Sequence, residues 1–383
     1  MLTASHKIVK ALNYHLLFTL IPIVLIAGVI YMAFAMSRFR FLGPIMPRKK
    51  WKRGLVGLLL VIILMVALCY LWDVFNMIII MLHLLLAWII CDFAVWLIKR
   101  TARWKPKHYV AGACAMLFTC VWLAIGWYNA HHVVATNYSI TTEKPLGVLS
   151  LRIVGLSDSH IGAIFDGEGL GKYVAEINAQ KPDAVVIMGD FIDDATSRID
   201  MQNACKALGK LHPKYGVYYV YGNHDDSYFG GRRDYDLHDL DANLTANGVK
   251  ILRDETVLLA GNTYICGRLD ASRNASERKS AYELMQGVPE NAYVITLDHE
   301  PNDYDAEADS GMDLILSGHT HGGQFLGLGP FGCHIGANDA YYGLERRGKT
   351  DFIVSSGIAN WALQFKTGCI AEYIVVDINR KEK

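Results

Sequence analysis

The chain lacks the cysteine patterns of structural zinc sites: its eight cysteines include no CxxC pair and no zinc-finger spacing. It also lacks net charge, because 37 lysines and arginines balance 37 aspartates and glutamates. Zero net charge gives no electrostatic indication of nucleic-acid binding, so we expect no nucleic-acid partner. The scattered cysteines predict no particular disulfide pairing, and nothing in the composition predicts an oligomeric state.

Charged residues are scarce in residues 1–135, where they occur only in short clusters. Apolar stretches of about the 20 residues that cross a bilayer as a helix lie at 14–36, 54–72, 77–98 and 109–128. A cleaved signal peptide is the alternative for the first stretch, and buried core helices are the alternative for the others. No small-residue cleavage site stands out, and the stretches are long and nearly uncharged, which favours membrane spans. We therefore predict an all-α region of four transmembrane helices over 1–135 and a polar linker over 136–147.

Basic residues flank the predicted spans unevenly. They are Arg38, Arg40, Arg48, Lys49, Lys50, Lys52 and Arg53 in the first connection and Lys99, Arg100, Arg103, Lys105 and Lys107 in the third. The second connection, residues 73–76, has no lysine or arginine. The positive-inside rule then places the first and third connections in the cytoplasm. We predict a multi-pass protein of the plasma membrane whose second half is extracytoplasmic, although Lys7 and Lys10 favour a cytoplasmic N-terminus.

Two ionisable residues, His83 and Asp92, lie inside the third predicted span. Such residues are candidates for function because a charge inside the bilayer is unfavourable. Their separation of nine residues places them on opposite sides of one helix, which argues against a shared ion path. We favour a polar contact between helices for each.

Residues 148–383 have an ordinary globular composition and an alternating pattern. Short apolar runs rich in β-branched residues predict strands at 151–156, 184–188, 216–221, 293–297, 314–316, 352–354 and 373–376. Helix-like stretches lie between them at 170–179, 201–211, 277–284 and 303–308. This alternation predicts an α/β domain, in which ligands bind at the carboxyl ends of the strands.

Five short motifs follow predicted strands in this half. They are Asp158-Ser159-His160, Gly189-Asp190-Phe191-Ile192-Asp193, Gly222-Asn223-His224-Asp225, His299 in LDHEP, and Gly318-His319-Thr320-His321. Together they supply carboxylate, imidazole and amide groups, a ligand mixture that suits divalent metals. Each motif alone is common as a turn or a polar loop. All five in this order at strand ends favour one metal site.

The motifs together resemble the signature of the calcineurin-like metallophosphoesterases, D-x-H, G-D-x-x-D, G-N-H-[DE], H and G-H-x-H, over residues 150–378. The later segments GGQ and SSGIANWALQ are similar to those of membrane-associated or lipid-directed members. The resemblance implies a layered α/β sandwich of two mixed β-sheets flanked by helices. It does not extend to residues 1–135.

The resemblance also implies roles for individual residues. The first of two metals would be held by Asp158, His160, Asp190 and His321, and the second by Asp190, Asn223, His299 and His319. His224 would contact the phosphate or protonate the leaving group. We expect Asp225 to steady His224 by a hydrogen bond and Asp193 to orient a ligand or a neighbouring loop. Asp298 has no expected role, and Lys366 stands where many relatives have an arginine, which weakens the case for a phosphate clamp there.

These features predict a membrane-anchored hydrolase of phosphate mono- or diesters with two divalent ions, Mn, Fe or Zn. Tethering to the membrane favours a lipid head group or lipid-linked phosphate as substrate. The residues that can contact acyl chains or form core are Phe325, Leu326, Phe331, Tyr341, Tyr342 and Trp361. One alternative is a membrane transporter or sensor regulated by the second half, but the spans contain few polar residues. The other is a non-catalytic binding domain, but none of the expected ligands is missing.

Overall fold

A computed structural model describes residues 19–20, 22–102, 104, 106–227 and 233–381. The chain divides into two compact units, Met1–Ile125 and Gly126–Lys383. Part of the predicted first span and four basic residues of the orientation argument, Lys7, Lys10, Arg103 and Lys105, lie outside the described residues.

Long apolar helices make up the first unit. In the described residues they are α1 (Pro22–Met36), α2 (Lys50–Leu71), α3 (Val74–Thr101) and α4 (Val110–His131), the last of which continues across the unit boundary. Three of these, α2 to α4, are long and apolar enough to cross a membrane, whereas the described part of α1 is shorter. The prediction of four long apolar helices is therefore confirmed for three of them, by length and composition. Helix α3 begins at Asp73, whose carboxylate caps the backbone N–H of Asn76 at 2.8 Å.

The two ionisable residues in the interior of α3, His83 and Asp92, make polar contacts. Asp92 accepts hydrogen bonds from Tyr31, Arg38 and Tyr109, so the predicted contact between helices is confirmed for it. The Nδ1 atom of His83 lies 2.8 Å from the carbonyl oxygen of Ile79 in its own helix.

Two stacked six-stranded sheets form the second unit within the described residues. The strands are β1 (Val134–Thr142), β2 (Ser150–Leu156), β3 (Ala184–Met188), β4 (Val217–Val220), β5 (Val249–Ile251), β6 (Glu255–Ala260), β7 (Thr263–Gly267), β8 (Tyr293–Leu297), β9 (Leu314–Ser317), β10 (Gly343–Arg347), β11 (Thr350–Val354) and β12 (Glu372–Arg380). The first sheet has the order β1-β12-β2-β3-β4-β5 and the second β10-β11-β9-β8-β7-β6. Both sheets are mixed. In the first, β2, β3 and β4 are parallel and β12 runs antiparallel to β2. In the second, β8 and β9 are parallel and β10 and β11 are antiparallel. The predicted sandwich of two mixed sheets is confirmed.

The prediction of a linker over 136–147 is wrong for most of that segment. Strand β1 occupies Val134–Thr142 and pairs in parallel with β12, starting at Val134 opposite Glu372. The strand lies at the edge of its sheet and only Ile140 is fully buried. An edge strand exposed to water keeps polar residues, which is why its sequence resembles a linker.

Helices cover the outer faces of both sheets. They are α5 (Leu170–Ala179), α6 (Arg198–Leu208) and α7 (Leu237–Ala246) beside the first sheet, α8 (Ala281–Leu284) and α9 (Tyr304–Ser310) beside the second, and the short α10 (Leu328–His334). Strand β2 shows how the layers are built. Leu151 and Ile153 point into the core between the sheets, while Val154 and Leu156 point toward the outer helices. This alternation follows from the period of two in a strand.

Parallel strands bring their carboxyl ends to one edge of each sheet. Strands β2, β3 and β4 run parallel in the first sheet, and β8 and β9 run parallel in the second. Each of the five sequence motifs directly follows one of these strands. The fold therefore gathers the motifs at the carboxyl edge of the sandwich, as expected for α/β sheets.

Candidate metal centre

The loops that carry the motifs have unusual backbone conformations. The motif residues with positive φ are Asp158 (52°), His160 (35°), Asp190 (50°), His319 (69°) and His321 (50°). Such conformations are unfavourable for residues with a Cβ and occur where the surrounding structure enforces them, often at functional sites. Two glycines also permit close approach: a Cβ on Gly222 would lie 2.2 Å from Asp190 Oδ1, and one on Gly318 would lie 2.4 Å from Asp158 Oδ2.

One group of potential ligands consists of Asp158, His160 and His321, whose donor atoms lie within 4.8 Å of one another. All three residues are buried. The Nε2 atom of His321 lies 3.7 Å from Asp158 Oδ1. Neither ring nitrogen of His160 has a hydrogen-bond partner among the described residues, although Nε2 faces Asp190 Oδ2 at 3.6 Å. Buried ring nitrogens that face carboxylates beyond hydrogen-bond distance suit a cation between them.

A second group consists of Asp190, His299 and His319, with Asn223 beside it. The Nδ1 atom of His299 lies 2.7 Å from the carbonyl oxygen of Met188. Since a carbonyl only accepts hydrogen bonds, Nδ1 carries the proton and a neutral ring has its lone pair on Nε2. That lone pair faces Asp190 Oδ2 and Asn223 Oδ1, both at 3.2 Å. A cation between this lone pair and the two oxygens would hold the three electron-rich atoms together, so these donor atoms fit a metal ion.

Asp190 belongs to both groups. Its Oδ2 atom lies 3.6 Å from His160 Nε2 in the first group and 3.2 Å from His299 Nε2 in the second. Its Oδ1 atom accepts a hydrogen bond of 2.8 Å from the backbone N–H of His224, which fixes the carboxylate between the groups.

Negative charge dominates the electrostatics of the site. Burial alone would raise the pKa of Asp190, but the nearby imidazoles, His299 first, hold it well below its usual range. Burial lowers the pKa of His321 to about 3, so its ring is neutral near pH 7. Burial also lowers the pKa of His299, but the carboxylates of Asp190 and Asp158 outweigh it and raise that pKa well above the ordinary value. The carboxylates therefore require positive charge, from protons or from metal ions.

His224 lies beside the two groups and close to other carboxylates. Its Nδ1 atom is 3.4 Å from Asp193 Oδ1 and 3.9 Å from Asp194 Oδ2. Asp193 also approaches His160, with 3.4 Å between Oδ2 and Nδ1. Asp193 thus lies between two imidazoles and can orient both, as expected for a residue behind a ligand. The ring of Trp361 lies 5.5 Å from that of His224.

The Asp225 carboxylate does not accept the expected hydrogen bond from the His224 ring, so the catalytic role predicted for Asp225 has no geometric support. The Asp225 carboxylate accepts four backbone N–H bonds instead, from Asp190, Phe191, Ile192 and Gly222, at 2.8 to 3.1 Å. The turn after Gly222 directs this side chain back under the preceding loop. Burial and the neighbouring Asp190 raise the pKa of Asp225 to about 6, and backbone donors oppose that shift. Asp225 therefore positions the loop that carries Asp190.

Asp298 has a structural role that the sequence did not indicate. It is buried and pairs with Arg278 and with Arg268, the latter at 3.1 Å. Arg268 also binds Glu307 at 2.8 Å. This buried ion cluster holds the end of β8 from which His299 projects.

Lys366 is also buried, and its Nζ donates to the carbonyl oxygens of Ser356 and Gly357. Burial lowers the pKa of this amine. A side chain enclosed in this way is not presented to a substrate phosphate.

Asp270, at the carboxyl end of β7, is a site residue that the sequence reasoning missed. It is buried, and its Oδ2 atom has no hydrogen-bond partner among the described residues. Burial and Glu300 raise its pKa, while His299 and His319 lower it, which shows that it lies near the second group. The sequence analysis did not predict strand β7, so Asp270 was not recognised as a carboxylate that follows a strand.

Known proteins of one family are similar to this chain over its second half. The model of the calcineurin-like phosphoesterase family matches residues 151–323. The uncharacterized metallophosphoesterase YkoQ of Bacillus subtilis is 31% identical over 63% of this chain and 88% of its own length. A transmembrane protein with metallophosphoesterase domain from Bos taurus is 28% identical over 68% of this chain and 60% of its own length. The uncharacterized metallophosphoesterase Cj0846 of Campylobacter jejuni is 31% identical over 64% of this chain and 63% of its own length.

The chain belongs to the calcineurin-like phosphoesterase family, whose members are metal-dependent hydrolases. The bovine relative is named as a transmembrane protein that carries such a domain. Three helices of this chain are likewise long and apolar enough to cross a membrane. The chain spans about three fifths of the length of the bovine and Campylobacter relatives.

Proposed function

We propose that the protein hydrolyses phosphate esters with two divalent metal ions held at the carboxyl edge of the sandwich. The observation that carries the proposal is the position of Asp190 Oδ2 between His160 and His299. One carboxylate oxygen within reach of two ligand groups is what a bridged pair of ions requires. The first ion would be held by Asp158, His160, Asp190 and His321, and the second by Asp190, Asn223, His299 and His319.

When bound, such ions polarise the phosphoryl oxygens and lower the pKa of a water molecule for in-line attack at phosphorus. The residues of the chain prepare that step. Asp190 would bring negative charge to both ions, while the amide of Asn223 would add an oxygen without further charge. His224 donates a proton to the leaving oxygen, and the carboxylates of Asp193 and Asp194 near its Nδ1 atom orient the imidazole.

For the substrate we propose a lipid head group or a lipid-linked phosphate. An exposed apolar segment follows the last histidine of the site: Leu326 is 72% exposed, and Leu328 and Phe331 are each 44% exposed. Exposed apolar clusters beside a site favour contact with lipid over contact with a water-soluble nucleotide. The long apolar helices of the chain keep the domain near a membrane surface.

The substrate class is testable with purified full-length protein. Turnover of phospholipids with different head groups is compared with turnover of soluble nucleotides and of nitrophenyl mono- and diesters. The replacements Leu326→Ser and Phe331→Ser are expected to lower activity on vesicles while leaving nitrophenyl ester hydrolysis unchanged. Equal losses on both substrates, or faster turnover of nucleotides than of any lipid, would contradict the lipid assignment.

Removal of divalent metals is expected to abolish hydrolysis, because the proposed mechanism needs bound ions to activate water and to neutralise charge on the phosphoryl oxygens. Activity is measured after treatment with EDTA and again after addition of Mn, Fe or Zn, which should restore it. EDTA saturated with the same metal before addition serves as the control. Full activity of a preparation in which elemental analysis finds no metal would exclude the mechanism.

We also propose that the protein lies in the plasma membrane with its second unit outside the cytoplasm. Reporter fusions after Gly147 are expected to behave as exported, and fusions near Lys50 as cytoplasmic, because basic residues cluster in the first and third connections. Alkaline phosphatase and a fluorescent protein as paired reporters give opposite signals on the two sides. A cytoplasmic signal after Gly147 would reverse the orientation but would leave the metal chemistry unaffected.

A further inference from the structure

A cavity of about 520 Å³ with both charged and apolar walls lies in the first unit, among the ends of α1, α3 and α4. Its lining residues are Tyr31, Arg38, Asp92, Val95, Trp96, Lys99, Tyr109, Val110 and Ala111. The volume is within the range of small-molecule sites, roughly 300–1,000 Å³. All three helix ends adjoin the connections that carry the basic clusters, so the cavity belongs to the basic end of the helices.

Asp92 lines this cavity and is the centre of a hydrogen-bond network. Its Oδ2 atom accepts hydrogen bonds from Tyr31 at 2.5 Å, from Tyr109 at 2.9 Å and from Arg38 Nη1 at 2.9 Å. Trp88 donates to the hydroxyl of Tyr109 at 2.8 Å. The network joins α1, α3 and the start of α4 and holds the guanidinium of Arg38 in one place. A cation held in place before a ligand arrives loses less conformational entropy on binding.

The charges of the cavity favour an anion. Asp92 neutralises one of the two cations, so the lining has an excess of one positive charge. The side chain of Arg38 is 51% exposed, and its Nε and Nη2 atoms form no hydrogen bond with the described part of the chain. Lys99 is exposed and has no ion pair within that same part. Two remaining guanidinium donors suit the paired oxygens of a phosphate group.

The other walls favour a lipid over a soluble anion. Val95, Trp96 and Val110 are apolar and belong to two helices long enough to cross a membrane. Tryptophan near a helix end is typical of the membrane–water interface. Basic pockets between transmembrane helices at that level bind the head groups of anionic lipids. We propose that this cavity binds an anionic phospholipid, with its phosphate at Arg38 and Lys99 and its acyl chains along Trp96.

This lipid is a ligand of the membrane unit, and its binding does not depend on phosphoesterase activity. The test uses purified full-length protein, freed of lipid in detergent and titrated with phosphatidylglycerol or phosphatidylcholine. Bound lipid is counted by native mass spectrometry. Phosphatidylglycerol is expected to bind at least about fivefold more tightly than phosphatidylcholine, since each nearby lysine or arginine contributes about that factor.

Replacement of single basic residues tests whether the lipid binds in this cavity or anywhere on the surrounding basic surface. Lys99→Gln and Arg38→Gln are each expected to weaken phosphatidylglycerol binding by about fivefold. Arg40→Gln is the matched control, because Arg40 is in the same basic connection but does not line the cavity. Lys99 has no ion pair in the described chain, so its replacement tests the site even if Arg38→Gln disrupts the network around Asp92.

Three results would overturn the proposal. The first is equal binding of the two lipids, and the second is an equal loss in Arg40→Gln and Lys99→Gln, which would indicate a diffuse basic surface. The third is displacement of bound phosphatidylglycerol by a tenfold excess of inorganic phosphate, which would identify a site for free anions. Retention of the lipid under that excess supports the lipid assignment.

Discussion

Replacement of Asp190 by asparagine is expected to lower kcat/KM by roughly a hundredfold to a thousandfold, the range seen when one key electrostatic group is removed. The change keeps the shape of the side chain and removes its charge. Asp190 is the residue shared by both ligand groups, so the loss of its charge weakens the attraction for two cations at once. Elemental analysis should show reduced occupancy of both metal positions.

The matched control is Asp158→Asn, which makes the same chemical change in only one group. We expect this variant to lose one metal and to keep more of the second. The hydrogen bond from the backbone N–H of His224 to Asp190 Oδ1 can form to an amide oxygen, so the fold around the loop should be retained. An Asp190→Asn enzyme with both metals and near-normal turnover would show that Asp190 is not the bridge.

Buried strands were the most predictable part of this fold. The boundaries of β3 and β8 match the predicted runs because all of their residues are buried and all but Thr296 are hydrophobic. Strands β1 and β10 escaped prediction, since both lie at sheet edges and keep many polar side chains exposed. A run of apolar residues indicates a buried strand, whereas an edge strand is only half buried and lacks such a run.

The candidate site was predictable to the extent that its residues follow strands in motifs. What the sequence could not give is the direction of each side chain after a tight turn. Asp225 is adjacent to His224 in the chain, yet its carboxylate points to the backbone of residues 190–192. Asp270 has no motif around it, and only the pairing of β7 with β8 brings it beside the second group.

The position of His224 is compatible with two roles, metal ligand and general acid. Its imidazole forms a close group with His160 and Asp193, a set that could hold an ion. It also lies outside the two groups that meet at Asp190, with its Nδ1 atom toward Asp193 and Asp194. A ligand and a general acid respond differently to removal of the ring, so one variant separates them.

His224→Ala is expected to retain both metals and to lose roughly a hundredfold to ten-thousandfold in turnover, the range for general acid catalysis. The loss should be smaller for nitrophenyl esters than for alkyl esters, because a good leaving group needs little protonation. His321→Ala is the control, since removal of a ligand should release metal and slow both kinds of ester alike. Loss of a metal from His224→Ala, with equal losses on both esters, would make His224 a ligand instead. Since the Nδ1 atom of His224 faces Asp193 and Asp194 and the ring lies outside the two groups that share a carboxylate, we expect the first pattern.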